Sequence, residues 1–454
     1  MTTTTPTAAA AAPAAGRGPR RGPIRRVIAG SLLTGAVLAA LLPLVVFAGA
    51  PEPVITGSAL LGFAVGWAVL AVLSARTTDQ PQRWAWVPAA VLGTTGLGLL
   101  VAVPDDRVLT AAGWAWPPLL LALAGWTVLR VRRSLAAGSG RRLLHPVVAL
   151  MAAAAVGGAI ETVGLAADQR AHAMPGQLHD VGGHRLHLDC TGSGGPTVVL
   201  QSGLGGFSAS WARIAPAVAG TTRVCAYDRA GQGWSEDAAG SQDGLAAAAD
   251  LHALLARAGE SGPYVLVGHS IGGDHAMTYA ARYPEQVAGM VLLDATSPYR
   301  SAGTGETHSG PPSAVAVLPS LTRLGIGRLL PTSFWTALPE PAAGRLQAFA
   351  SSPRGARNTV AESATLPTLL TQAQALSTLG SRPLVVVTAA EHAADPDWAA
   401  AHHRMAALST DSSHRTADAT HAGLLDEEHG AQLSARAIGD VVQAARTGTP
   451  LAPH

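Results

Sequence analysis

Lysine is missing from this chain: all 31 basic residues are arginine. Charge of either sign is scarce, at 13% of 454 residues where soluble domains carry about 25%, and aromatic residues reach only 4%. An ordinary cytosolic fold is therefore excluded for the chain as a whole. Only two cysteines occur, Cys190 and Cys225, which excludes a disulfide scaffold and a four-thiolate zinc site, and their spacing is not that of a redox pair. Neither a phosphate-cradling Walker loop nor a metal-ligand spacing is found, so no cofactor is expected. Thirteen arginines against four acids (Glu52, Asp79, Asp105, Asp106) give residues 1–142 a net +9, leaving −7 for the rest of a chain whose net charge is +2. With an acidic second half, and with arginine usage that fits a GC-rich codon bias, nucleic acid is not an expected partner.

What is abundant is apolar sequence, 48% of residues. After a Thr-, Ala-, Pro- and Gly-rich tail, Met1–Gly22, with almost no large apolar side chain and so expected to be disordered, five long runs follow. They are Val27–Ala50, Val54–Ala75, Trp84–Val103, Ala111–Val131 and Leu143–Ala167. Each approaches the ~20 residues a helix needs to cross about 30 Å of hydrocarbon, so residues 23–170 read as a helical transmembrane domain and the lipid bilayer as a partner. Glu161 falls near the far end of the last run, within reach of the interface.

Basic residues near helix ends are held on the cytoplasmic side. Arg17, Arg20, Arg21, Arg25 and Arg26, then Arg76 and Arg83, then Arg130, Arg132, Arg133, Arg141 and Arg142 all fall on one side, against Arg107 and Arg170 on the other. This predicts a multi-pass protein of the cell membrane with a cytoplasmic amino terminus and everything after about Ala167 extracytoplasmic. A cleaved signal peptide is the rival for the first run, since Ala48-Gly49-Ala50 resembles a cleavage site, but Pro51 and the run's length disfavour it. Either reading leaves the second half outside.

That half alternates short β-branched runs (Arg185–Asp189, Thr197–Leu200, Thr222–Tyr227, Tyr264–Val267, Met290–Leu293, Leu384–Thr388) with helical spacing, as across Leu245–Ala258 and His275–Arg282. Apolar strands separated by helices predict a doubly wound, mostly parallel sheet covered on both faces. Residues 297–381 break into Pro- and Gly-punctuated helical pieces, too long for a connector, and read as an inserted helical lid.

The sharpest motif is Gly268-His269-Ser270-Ile271-Gly272, between the strand ending at Val267 and a helical run. A Gly-x-Ser-x-Gly turn strains the serine backbone and needs glycines on both sides. Ser270 would then stand at a helix amino terminus, ready to attack while backbone N–H groups face developing negative charge.

Residues 177–454 resemble the α/β-hydrolase family, serine hydrolase branch, through four motifs in family order. These are Ser202-Gly203-Leu204-Gly205-Gly206, Tyr227 to Ser235, the Ser270 elbow, and His421 ahead of Leu424-Leu425-Asp426. The resemblance implies Ser270 as nucleophile and His421 as base, with the N–H groups of Ile271 and Leu204 as oxyanion donors. Ser202 stands where many relatives have histidine, which leaves open how that loop is held. For the acid two positions compete: Asp294, ending Met290–Leu293, is favoured, and Glu391, after Leu384–Thr388, is the alternative. Asp228 and Arg229 are expected to fix a structural loop at the rim. In the family order the strands carrying Cys190 and Cys225 are neighbours, so a disulfide is expected, with two buried free thiols as the alternative. The activity implied is hydrolysis of an ester, thioester or amide, with a small or lipid-like ester as substrate. An acyltransferase using the same three residues, or a non-catalytic receptor that kept the fold, is the competing reading.

Overall fold

The computed structural model describes residues 23–135, 140–299, 313–329 and 337–452. The tail expected to be disordered, residues 1–22, lies outside the described residues, as do 300–312 and 330–336 of the expected lid.

The first half holds helices α1 (Ile24–Leu41), α2 (Glu52–Thr77), α3 (Trp86–Ala102), α4 (Asp106–Ala112), α5 (Trp116–Ser134) and α6 (His145–Ala171). Four segments, Ile24–Val46, Glu52–Thr77, Arg83–Ala102 and Arg141–Ala171, are long and apolar enough to cross a membrane. The run expected as one helix over Ala111–Val131 is instead split between α4 and α5, which are bent by 46°. Asp105 caps α4 by accepting the Val108 N–H. Pro117 and Pro118, lacking N–H donors and fixed at helical φ, begin a new helix more readily than they continue one. Helices α1 and α2 pack through small residues: a Cβ added at Gly66 would lie 2.7 Å from Gly35 Cα, and one at Gly62 would lie 2.3 Å from Ala39 N. This close approach is how helices associate where lipid removes the hydrophobic drive. Leu33, Val37, Leu97, Val101, Leu119 and Val163 face outward, an apolar exterior suited to hydrocarbon.

The second half is one eight-stranded sheet: β1 (Gln177–Asp180), β2 (Arg185–Thr191), β3 (Val198–Gln201), β4 (Val224–Tyr227), β5 (Tyr264–His269), β6 (Val287–Leu293), β7 (Leu384–Ala389) and β8 (Ser412–Ala417). Their order is β1-β2-β4-β3-β5-β6-β7-β8, antiparallel at the β1-β2 and β2-β4 pairs and parallel elsewhere. Alternate residues feed two cores. Tyr264 and Leu266 of β5 join Leu251, Met277 and Tyr279 on one face, and Val265 and Val267 join Trp211, Ile214, Ile438 and Val441 on the other. Trp211 ends a short turn, Ser208–Trp211; the others come from α7 (Ile214–Ala219), α8 (Gly244–Arg257), α9 (Ile271–Arg282) and a long carboxyl-terminal helix, Glu428–Thr447. Cys190 and Cys225 are direct partners in the β2-β4 register and are bonded as a disulfide, so the free-thiol alternative falls.

Between β6 and β7 the expected insertion is helical: α10 (Leu318–Arg323), α11 (Ile326–Leu329), α12 (Ala342–Ala350) and α13 (Pro353–Ala373). It docks on the ends of the apolar helices through buried charge. Arg323 bonds Glu52 and, at 3.0 Å, Asp106. Arg328 bonds Glu161 and Asp168, both at 2.8 Å. Glu161, expected within reach of the interface, is buried against Arg328 of the insertion. Such pairs hold only when both partners are present and well oriented, because an unpaired buried charge is costly.

Candidate active site

The Ser270 backbone sits at φ 55° and ψ −131°, between β5 and α9. The flanking glycines are required by space: a Cβ at Gly268 would lie 2.4 Å from Gly272 O, and one at Gly272 would lie 2.1 Å from Gln201 O. The Ser270 carbonyl accepts from Gly273 and Thr296, which pins the turn. Ser270 is half-buried at the start of α9, and Ile271, as the helix's first residue, has an N–H with no partner inside the helix.

Asp294 follows β6 in the left-handed region, φ 41°, and its N–H donates to Val387 O at 2.7 Å. Its carboxylate is fully buried. One oxygen accepts from the Ala389 N–H at 3.0 Å and Trp398 Nε1 at 3.2 Å; the other accepts from His421 Nδ1 and His392 Nδ1, each at 2.6 Å. Burial alone would push this carboxyl up. The His421 hydrogen bond, the Ala389 N–H, the charge of His421 and the His392 hydrogen bond outweigh it and hold the group down at about 2. Because a carboxylate only accepts, both Nδ1 atoms carry the hydrogen, and a neutral His421 therefore has its lone pair on Nε2.

His421 lies in the turn between β8 and the short helix Gly423–Asp426. The expected rival acid, Glu391, does not touch its ring: it accepts the His421 backbone N–H. His269 Nε2 donates to the His421 carbonyl at 2.9 Å, and the two ring centroids lie 4.4 Å apart with the planes tilted by 38°. Burial, then repulsion by His421, lowers His269 to about 3, so it stays neutral and serves as a fixed donor. The chain neighbour of Ser270 thus buttresses His421.

Asp294, His392 and His421 also present three potential ligand atoms within 4.8 Å of one another. Their 2.6 Å contacts are hydrogen-bond distances, so both Nδ1 atoms are already committed to the carboxylate. The same test for Cys190, Cys225 and Glu260 fails on the disulfide.

The loop after β3 approaches the serine directly, since a Cβ at Gly203 would lie 3.1 Å from Ser270 Cβ. The Ser202 hydroxyl accepts from Trp211 Nε1 at 2.8 Å and donates to Phe207 O at 3.0 Å, which answers how the loop's base is held without a histidine. As expected, Asp228 and Arg229 tie down the rim. Asp228 accepts from the Ser208 and Trp234 N–H groups, and Arg229 donates to Ser202 O at 2.6 Å and Gly203 O at 2.8 Å.

Residues 196–376 match the family model described as alpha/beta hydrolase fold. This half of the chain has the alpha/beta hydrolase fold. Its curated relatives include an uncharacterized protein of Schizosaccharomyces pombe, 32% identical over a 191-residue alignment, with 35% of each chain covered. RutD of Agrobacterium fabrum, named as a carbamate hydrolase, is 31% identical over 115 residues, 25% of this chain and 42% of that one. This chain spans about half or less of the length of the curated relatives it matches. Among solved structures, haloalkane dehalogenase DbeA from Bradyrhizobium elkani is similar at 22% identity and a TM-score of 0.48, covering 59% of this chain and 98% of that one.

Ser270, Asp294 and His421 follow β5, β6 and β8 at the carboxyl edge of the sheet, and the structure joins Asp294 to His421 by a hydrogen bond. His392 and Trp398 on Asp294 were not foreseen. Both come from the segment after β7, where an Ala-rich sequence offered no turn signal, although a histidine and a tryptophan close behind a strand end beside a candidate acid were visible.

Proposed function

We propose that this chain is a membrane-anchored serine hydrolase that cleaves an ester, thioester or amide through an acyl-enzyme. The observation that carries the reading is the hydrogen bond from half-buried His421 Nδ1 to the buried Asp294 carboxylate, beside a serine held in a strained elbow. Asp294 fixes the tautomer that leaves His421 Nε2 as acceptor and stabilises the imidazolium formed in the reaction. Ser270 Oγ attacks the acyl carbonyl and gives its proton to His421. The N–H groups of Ile271 and Leu204 hold the oxyanion. His421 then protonates the leaving group, and a water activated by the same imidazole releases the acid. A serine nucleophile separates this site from aspartate-nucleophile chemistry. The likeness to RutD, named as a carbamate hydrolase, supports acyl transfer to water.

The arginine distribution and the disulfide favour a cytoplasmic amino terminus and an extracytoplasmic hydrolase domain. Attachment beside a bilayer favours a lipid-like ester. Membranes carrying the full chain, treated with a fluorophosphonate probe and then with p-nitrophenyl esters of increasing acyl length, test the reading. Labelling at Ser270 and turnover that varies with chain length are expected; absence of both overturns it.

A further inference from the structure

We propose that Glu362, on the lid helix α13, is a positioning residue for the oxyanion loop, so that the loop is competent only with the lid docked. The proposal rests on the serine hydrolase reading. It starts from a buried ion pair: Arg229 Nε donates to Glu362 Oε1 at 2.7 Å, with the two side chains only 5% and 10% exposed. Burying both charges strips them of hydration, so the remaining donors and acceptors need partners. Those partners are the backbone of the loop. Glu362 Oε2 accepts the Gly205 N–H at 2.8 Å and Gln232 Nε2 at 3.3 Å, and Arg229 holds the carbonyls of Ser202 and Gly203.

Leu204 is therefore gripped from both sides without being touched. In the planar trans peptide joining Gly203 to Leu204, the carbonyl and the N–H point in opposite directions. Holding Gly203 O on Arg229 turns the Leu204 N–H away from Arg229, in a loop whose Gly203 abuts Ser270. Holding the Gly205 N–H on Glu362 fixes the next peptide plane and stops the first from rotating. Glu362 thus acts on the oxyanion through the loop and through Arg229.

The seating of α13 is specific. Arg354, Asn358 and Glu362 are four residues apart and so share one helix face. Arg354 donates to Gly233 O at 2.9 Å and Asn358 to Gly231 O at 2.5 Å. A Cβ at Gly205, which has φ +64°, would lie 2.8 Å from Thr359 Oγ1. Without α13, Arg229 would keep its carbonyls but lose its counter-charge, and the Gly205 N–H would lose its acceptor.

The test compares an oxoester with the matching thionoester on the full chain in membranes, for wild type, Glu362→Ala and Glu362→Gln. Sulfur accepts hydrogen bonds poorly, so the thionoester draws little from the oxyanion donors. Loss of one such donor typically costs 10²–10³-fold. Glu362→Ala should lower kcat on the oxoester by about 10²-fold with little change in KM, and the thionoester far less. Glu362→Gln, isosteric and retaining one acceptor, should recover part of the loss; it also carries the test should Glu362→Ala fail to accumulate. Equal losses on both esters, or wild-type kcat in both variants, overturn the positioning role. If instead wild type shows no Ser270-dependent hydrolysis or labelling, the serine hydrolase reading itself fails and this proposal goes with it.

Discussion

Replacing Asp294 by asparagine tests the site most directly, because the two oxygens of its carboxylate have unequal duties. Oδ1 accepts from the Ala389 N–H and Trp398 Nε1, while Oδ2 accepts from two imidazoles. Asparagine has one acceptor oxygen, and the two fixed N–H donors will claim it. Its NH₂ then faces His421 Nδ1, which must become the acceptor, so the proton moves to Nε2 and the imidazole can no longer take the Ser270 proton. A wrong tautomer of this kind costs roughly 10⁴-fold in turnover, about 5 kcal/mol. The stability cost is smaller. Asp294 is held at about 2 against an ordinary 3.8, which contributes about 2 kcal/mol above pH 3.8, lost as pH falls through about 2. Asparagine also tolerates the left-handed backbone at 294, so strain is not added. Turnover of a short-chain ester by folded, membrane-extracted protein should fall ~10⁴-fold while thermal unfolding shifts modestly. Under the same assay Glu391→Gln should lose much less, since Glu391 accepts the backbone N–H of His421 and not its ring N–H. Turnover within tenfold of wild type in Asp294→Asn, or the larger loss in Glu391→Gln, would refute the assignment.

Ser270→Ala should abolish probe labelling and reduce hydrolysis by ~10⁶-fold with the chain still in the membrane, and His421→Ala should match it; persistent turnover would remove the enzyme. Proteolysed, non-reduced protein should yield linked Cys190 and Cys225 peptides by mass spectrometry, and both cysteines alkylated without prior reduction would contradict the bridge. Burial pushes the Asp274 carboxyl well above 3.8, and neither of its oxygens has a partner among the described residues, so its contribution to stability is complete below pH 3.8 and fades as pH rises through the folded-state value. Asp274→Asn should therefore raise the unfolding temperature more at pH 8 than at pH 4; an equal shift at both would show that the acid is not buried as described.

The elbow was legible because its signal is local: two glycines, a serine and an apolar strand within a few residues. Strands β1 and β8 were not bounded from sequence because both lie at sheet edges. Gln177-Leu178-His179-Asp180 and the largely polar Ser412–Ala417 lack the apolar run that marks a buried strand. The choice between Asp294 and Glu391 needed the third dimension. Both follow strands at the same edge of the sheet, and what separates them is which oxygen meets the ring and which meets the backbone of residue 421. The break between α4 and α5 was present in the sequence, since Gly113 and the Pro117-Pro118 pair interrupt an otherwise uniform run.

The insertion was legible as a segment and illegible as a device. Arg354, Asn358 and Glu362 at four-residue spacing look like the solvated face of an ordinary helix, and so do the arginines at 323, 328 and 357. In the structure these charges have two different audiences. Arg323 and Arg357 meet at Asp106, next to the apolar helices, while Glu362, little more than one turn beyond Arg357, meets the loop beside Ser270. Both contacts use one rigid helix or its packed neighbour, and a buried ion pair must be matched in place to persist at all. Displacing α13 from the ends of the apolar helices would therefore move Glu362 against Gly205. The insertion's sequence has to satisfy the ends of the apolar helices and the loop beside Ser270 at once, a constraint that periodicity along a single helix cannot reveal.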